Sequence, residues 1–134
     1  DNDLLNAKLK ELREKALKNL AEAKSNFLNQ PLEIEKNSKK YTFENNEKNR
    51  NSLSLKMSLM WTLEQDKIEK VKVLNDKGLV EFIELNQAEL KVLAKKIQDI
   101  LEIADMAEQM AVVGISRYNI EQMLELNVSD FFQN

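Results

Sequence analysis

The sequence predicts an α+β domain of long amphipathic helices packed with two antiparallel β-hairpins, in the order α-ββ-α-ββ-α-α. Three observations predict it. Apolar residues recur at every third or fourth position over long stretches, the mark of a helix that buries one side. Two pairs of short runs alternate apolar and polar residues about a polar turn, as strands with one covered face do. Helices and hairpins also follow one another without the β–α–β–α rhythm of a parallel sheet. With 134 residues, the chain is expected to form a single domain over 1–134 that buries a core without disulfides or metals.

The first helix is predicted over residues 3–29, because Leu5, Leu9, Leu12, Ala16, Leu20, Ala23 and Phe27 fall on one stripe. Pro31 blocks its continuation and pushes Gln30 towards extended backbone. A first hairpin is predicted over 32–44: Leu32 and Ile34 share one face, Tyr41 and Phe43 another, about the polar Lys36-Asn37-Ser38-Lys39. A polar stretch from Asn45 leads to a second helix over 51–65 carrying Leu53, Met57, Met60, Trp61 and Leu63. Leu55 and Leu59 widen its apolar surface, so it is expected to be sandwiched centrally.

The second hairpin, over 68–85, has the sharpest local signal. Val71 and Val73 alternate with Lys70 and Lys72, and Val80 and Phe82 stand in the returning strand. Asn75-Asp76-Lys77-Gly78 suits a type I turn followed by Gly78 in the left-handed region. Asn86 and Glu89 have the spacing of a capping box and open a helix over 87–113. Its stripe runs through Leu90, Leu93, Ile97, Ile100, Ala104 and Ala107, and Gly114 is placed as its C-terminal stop. A short helix over 119–126 and an apolar tail from Val128 to Phe132, expected to dock on the rest, complete the chain.

Composition restricts the chemistry. There is no histidine and no cysteine, so Ser–His–Asp and Cys–His arrangements and ordinary zinc sites have no residues to use. Gly78 and Gly114 are the only glycines, too few for a phosphate-cradling loop. The carboxylates, such as Glu33 with Glu35 and Glu44 with Glu47, sit among lysines in polar stretches and read as solvated surface charge. No catalytic, cofactor-binding or metal-ligating residue is therefore assigned, and the chain is expected not to be an enzyme. The net charge is −3 with both signs interleaved, which gives no basic surface for nucleic acid. Lys36, Lys39, Lys40, Lys48 and Arg50 form the only locally basic stretch, interrupted by Glu35, Glu44 and Glu47. Runs such as Met57 to Leu63 and Ala111 to Ile115 are far too short to span a bilayer. Residue 1 is Asp rather than Met, so the chain is expected to be a piece of a longer protein.

Several passages share an order with a known family. They are Tyr41-Thr42-Phe43-Glu44-Asn45-Asn46, then Arg50-Asn51-Ser52-Leu53, then Asn75 to Gly78, then Leu85-Asn86-Gln87-Ala88-Glu89-Leu90. Over residues of about 5 to 108 the chain resembles an uncharacterised domain found in phage and prophage tail-fibre and tail-fibre-assembly proteins. It departs from that pattern in the first turn, which lacks a glycine, and in Val71 and Val73, where an aromatic residue is common. The resemblance implies a structural or assembly role through protein partners such as other tail components or a second copy of the chain. It implies a setting in the virion tail or the bacterial host cytoplasm, and it brings no catalytic residues.

The candidate interface is the stripe of the first helix, Leu5, Leu9, Leu12, Leu20 and Phe27, nearly a heptad seam for three repeats. The alternative use is to cover the chain's own hairpins. An alternative function is DNA binding by a C-terminal helix-turn-helix. Its turn would be Val113-Gly114-Ile115-Ser116, with Ile120 and Met123 behind it and Arg117, Tyr118, Asn119 and Gln122 facing the major groove. Gln109 and Met110 misfit that motif, and Glu121, Glu125 and Asp130 suit a phosphate backbone badly.

Overall fold

The computed structural model describes residues 2–62 and 68–133. Along the chain run α1 (Asn2–Leu28), β1 (Leu32–Lys36), β2 (Lys39–Phe43), α2 (Glu47–Thr62), β3 (Glu69–Leu74), β4 (Val80–Leu85), α3 (Gln87–Arg117), α4 (Ile120–Glu125) and a closing 3-10 helix (Val128–Phe132). The expected α+β class and element order are present. Two compact units result, one of residues 29–100 and the other of residues 1–28 with 101–134.

The first unit is built on a sheet of order β1-β2-β3-β4. Each hairpin pairs antiparallel, and β2 joins β3 through Thr42 opposite Leu74, so the two expected hairpins share one sheet. The turn of the first hairpin is two residues long. Asn37 and Ser38 both take positive φ, 55° and 63°, the geometry whose twist matches a right-handed strand pair. Leu32 lies opposite Phe43 and Ile34 opposite Tyr41; directly paired residues point to the same side of a sheet, so these four share a single face. In the second hairpin the Asn75 N–H donates to the Leu79 carbonyl (2.8 Å) and the Gly78 N–H to the Asn75 carbonyl (2.9 Å). Gly78 has φ +77°. This is the expected type I turn and bulge, held further by Asn75 Oδ1, which accepts from the Lys77 and Leu79 amides.

That turn sets the register, and the register corrects one expectation. Val71 stands opposite Ile83, and Lys72 opposite Phe82. Val71 and Val73 are buried, so Ile83 and Leu85 go inward with them, whereas Val80 and Phe82 point to solvent. β4 carries two apolar sets of opposite parity, and only one can follow the valines.

Two further corrections concern α2. It begins at Glu47 rather than Asn51, because Asn46 caps it: Asn46 Oδ1 accepts from the Asn49 amide at 2.8 Å. It is not sandwiched, since Leu53 and Met60 are buried while Leu55, Leu59 and Trp61 are exposed. Lys91 Nζ stands 5.5 Å from the Trp61 ring centre. The expected end of this helix, residues 63–65 including Leu63, lies outside the described residues. The unit's core also takes Leu90, Leu93 and Ile97 from the first part of α3. The capping box predicted there is formed: Asn86 Oδ1 accepts from the Glu89 amide, and Glu89 Oε1 from the Asn86 amide.

The second unit is helical. Ala16 and Leu20 of α1 are buried with Ala104, Ala107, Ala111 and Ile115 of α3, Met123 of α4, and Val128 and Phe132 of the 3-10 helix. The apolar tail docks as expected. α3 continues to Arg117, past the stop assigned to Gly114. Gly114 does not end the helix; it makes room for the Tyr118 ring, whose hydroxyl would stand 2.9 Å from a Cβ at this position. α3 ends at Arg117, and Asn119 caps α4 in a reciprocal capping box with Gln122.

Candidate functional site

The five residues expected to form an interface do not share one environment. Leu20 is buried, and Leu9, Leu12 and Phe27 are partly buried against the helical core. The Phe27 ring meets Phe132 at 5.6 Å between centres. Leu5, 53% exposed, stands outside that cluster. From Leu9 to Phe27 the stripe thus packs against the helices of its own unit. Ala104, Ala107 and Ala111 of α3, Met123 of α4 and Val128 and Phe132 of the 3-10 helix complete the cluster.

Polar ties hold the same helices. Arg13 of α1 donates from Nε to the Ile115 carbonyl (3.0 Å) and from Nη2 to the Tyr118 carbonyl (3.1 Å). Those carbonyls lie where α3 runs out of intrahelical partners. Lys24 bridges Asp105 at 2.9 Å and Glu108 at 3.0 Å. Its ammonium is held above the usual lysine range by the hydrogen bond to Asp105 and then that to Glu108. In the sheet unit, Lys36 lies 2.7 Å from Glu89. That hydrogen bond, followed by the one from the Asn86 backbone, lowers the Glu89 carboxyl below the usual range.

Three residues of the locally basic stretch are likewise engaged in structure. Lys36 is on Glu89, Lys40 is 3.4 Å from Glu33, and Arg50 donates to the Asn45 carbonyl at 2.6 Å. Asn45 is 1% exposed, so the Arg50 clasp anchors the passage from β2 into α2. The helix-turn-helix alternative loses its expected turn, because residues 113–116 lie inside α3. Tyr118 is half-buried, Asn119 and Gln122 are committed to each other, and α4 is six residues long.

What the molecule presents outward is apolar rows on units whose cores are already filled. On α3, Ile103, Met106, Met110 and Val113 are all exposed, Met106 by 65% and Met110 by 67%. Their 3-4-3 spacing puts them on one strip of the helix, away from the alanine face. The sheet's outer side presents Val80 and Phe82. A groove of about 510 Å³ runs beside α1, floored by Ala16, Ala23, Met123 and Val128 and edged by Asn19 and Asn127. In the sequence Met110 stands out only as a misfit in a DNA-binding turn, so the α3 row is not found there. The available signal was a second apolar periodicity on the same helix, offset from the alanines. Among the described residues there is no cluster of three or more acidic, histidine or cysteine side chains suited to a metal ion. None of the described helices is long and apolar enough to cross a membrane. The α3 row and the pair Val80 and Phe82 are apolar and exposed. No protein-family model, curated protein or solved structure matches the chain.

Proposed function

We propose that the chain is a non-enzymatic structural or assembly domain of a phage or prophage tail, acting through protein–protein contacts. The observation that carries this reading is the exposed row Ile103, Met106, Met110 and Val113, on a helix whose alanine face is already packed. A row of medium-sized apolar side chains adds nothing to the fold that carries it, and it suits a partner surface. Methionine is well adapted to such a role, being flexible and polarizable.

The tail setting rests on the resemblance alone, and its motif residues act at junctions of the fold. Arg50 clasps Asn45, Gly78 takes the left-handed position of its turn, and Asn86 with Glu89 caps α3. Each stabilises a junction between elements.

Deletion of the coding region from its phage or prophage, with particles viewed by electron microscopy, tests the proposal. Particles with missing or defective tail fibres, restored by supplying the protein in trans, are the expected result. Complete, infectious tails in its absence would overturn the reading.

A further inference from the structure

We infer that the α3 row docks a second copy of this chain, with the two α3 helices antiparallel about a twofold axis midway between Met106 and Met110. The inference rests on the reading of the chain as a protein-contact module and names the partner. Ile103, Met106, Met110 and Val113 occupy alternating a and d positions of a heptad. Reversing the helix about the midpoint of that row places Ile103 against the partner's Val113 and Met106 against the partner's Met110. A row that maps onto itself in this way is what an isologous interface requires.

Charge selects the direction. Glu102 stands at the start of the row and Arg117 one turn beyond its end, and both are exposed. An antiparallel pair brings the glutamate end of each helix beside the arginine end of the other. A parallel pair would set Glu102 beside the partner's Glu102 and Arg117 beside the partner's Arg117, and like charges at that range repel. Gln109, near the twofold, faces its own copy and brings no net charge to the centre of the contact. The α1 stripe cannot play this part, since Leu20 is buried and Leu9, Leu12 and Phe27 pack within their own unit.

Sedimentation of the full chain and crosslinking by introduced cysteines test the inference together. The unmodified chain is expected to move from monomer to dimer as concentration rises. Met106→Lys with Met110→Lys is expected to stay monomeric at every concentration. Both positions are exposed, so the helical circular dichroism of the double variant should be unchanged. The chain has no cysteine, which allows direction to be read directly. A mixture of the Ile103→Cys and Val113→Cys variants is expected to form a disulfide-linked dimer, whereas each variant alone is not. Crosslinking of each variant with itself would overturn the antiparallel arrangement. A wild-type monomer at millimolar concentration would overturn the second copy as occupant. If that monomer retained a purified tail component that the double lysine variant released, the contact-module reading would stand and this inference alone would fall.

Discussion

Gly78 and Ser38 show how much of a hairpin rests on single backbone angles. Gly78 holds φ +77°, and a Cβ placed there would meet nothing within 4 Å. The cost of a substitution is therefore one of backbone conformation and not of space. Gly78→Val is expected to destabilise by about 1 kcal/mol or more, and Gly78→Asn by less, because asparagine tolerates the left-handed region. Denaturant midpoints of the two variants measure the difference; equal midpoints would contradict the turn geometry. Ser38 is the reverse case, a non-glycine residue at φ 63°. Ser38→Gly relieves that strain and is expected to raise stability by up to about 1 kcal/mol, part of the gain being lost to the added freedom of the unfolded chain. A lowered midpoint would show that the Ser38 side chain contributes more than its backbone costs.

At the scale of elements, the stripe of α1 is the most informative. If it serves the core, its residues should differ in cost according to their burial. Leu20→Ala, at 3% exposure, is expected to lose about 3 kcal/mol of stability, and Leu5→Ala less than about 0.5 kcal/mol. Similar small losses at both positions, read from denaturant unfolding, would point to an interface and not a core. Arg13 couples α1 to the end of α3 through two carbonyls. Arg13→Ala removes charge-assisted hydrogen bonds to partly buried acceptors and is expected to cost about 1.5 kcal/mol. Arg13→Lys should recover less than half of that, because an ammonium lacks the spread donors needed to reach both carbonyls. Full recovery with lysine, in thermal melts, would mean that charge alone matters there.

At the scale of the whole molecule, stability should be flat across neutral pH and fall at both extremes. The Glu89 carboxyl is held low in the folded state, mainly by Lys36. Its contribution is therefore full above the carboxylate range and is lost as pH falls through it. The Lys24 ammonium is held high, mainly by Asp105. Its contribution is full below the ordinary lysine range and is lost as pH rises through the raised value. Both pairs are partly open to solvent, so each is expected to contribute only about 0.5 kcal/mol. Lys36→Gln should flatten the acid limb alone, and Lys24→Gln the alkaline limb alone, in midpoint-against-pH curves. A variant that changed the limb assigned to the other would contradict the assignment.

What the sequence by itself determined is what a few neighbouring residues can encode. The helix over α1 follows from its apolar period and ends before Pro31; the Asn75–Gly78 turn and the Asn86–Glu89 capping box depend on bonds within four residues. Asn46 as the cap of α2 was local too, but Glu47 to Arg50 read as linker because none of them is apolar. Tertiary structure decided what depends on residues distant in the chain. Whether Phe82 or Ile83 of β4 turns inward is settled by register against β3 and by the buried valines, since the strand carries apolar residues of both parities. Whether α3 stops at Gly114 is settled by Tyr118, which fills the space a side chain would take, and by Arg13, which satisfies carbonyls beyond it. The candidate site divides along the same line. The α1 stripe was legible as apolar, but its partner was not, because a leucine row fits equally well against alanines of its own chain or a neighbour's. Only the buried cluster of Ala104, Ala107 and Ala111 with Met123, Val128 and Phe132 assigned that stripe to the core, and Ile103, Met106, Met110 and Val113 are left facing outward.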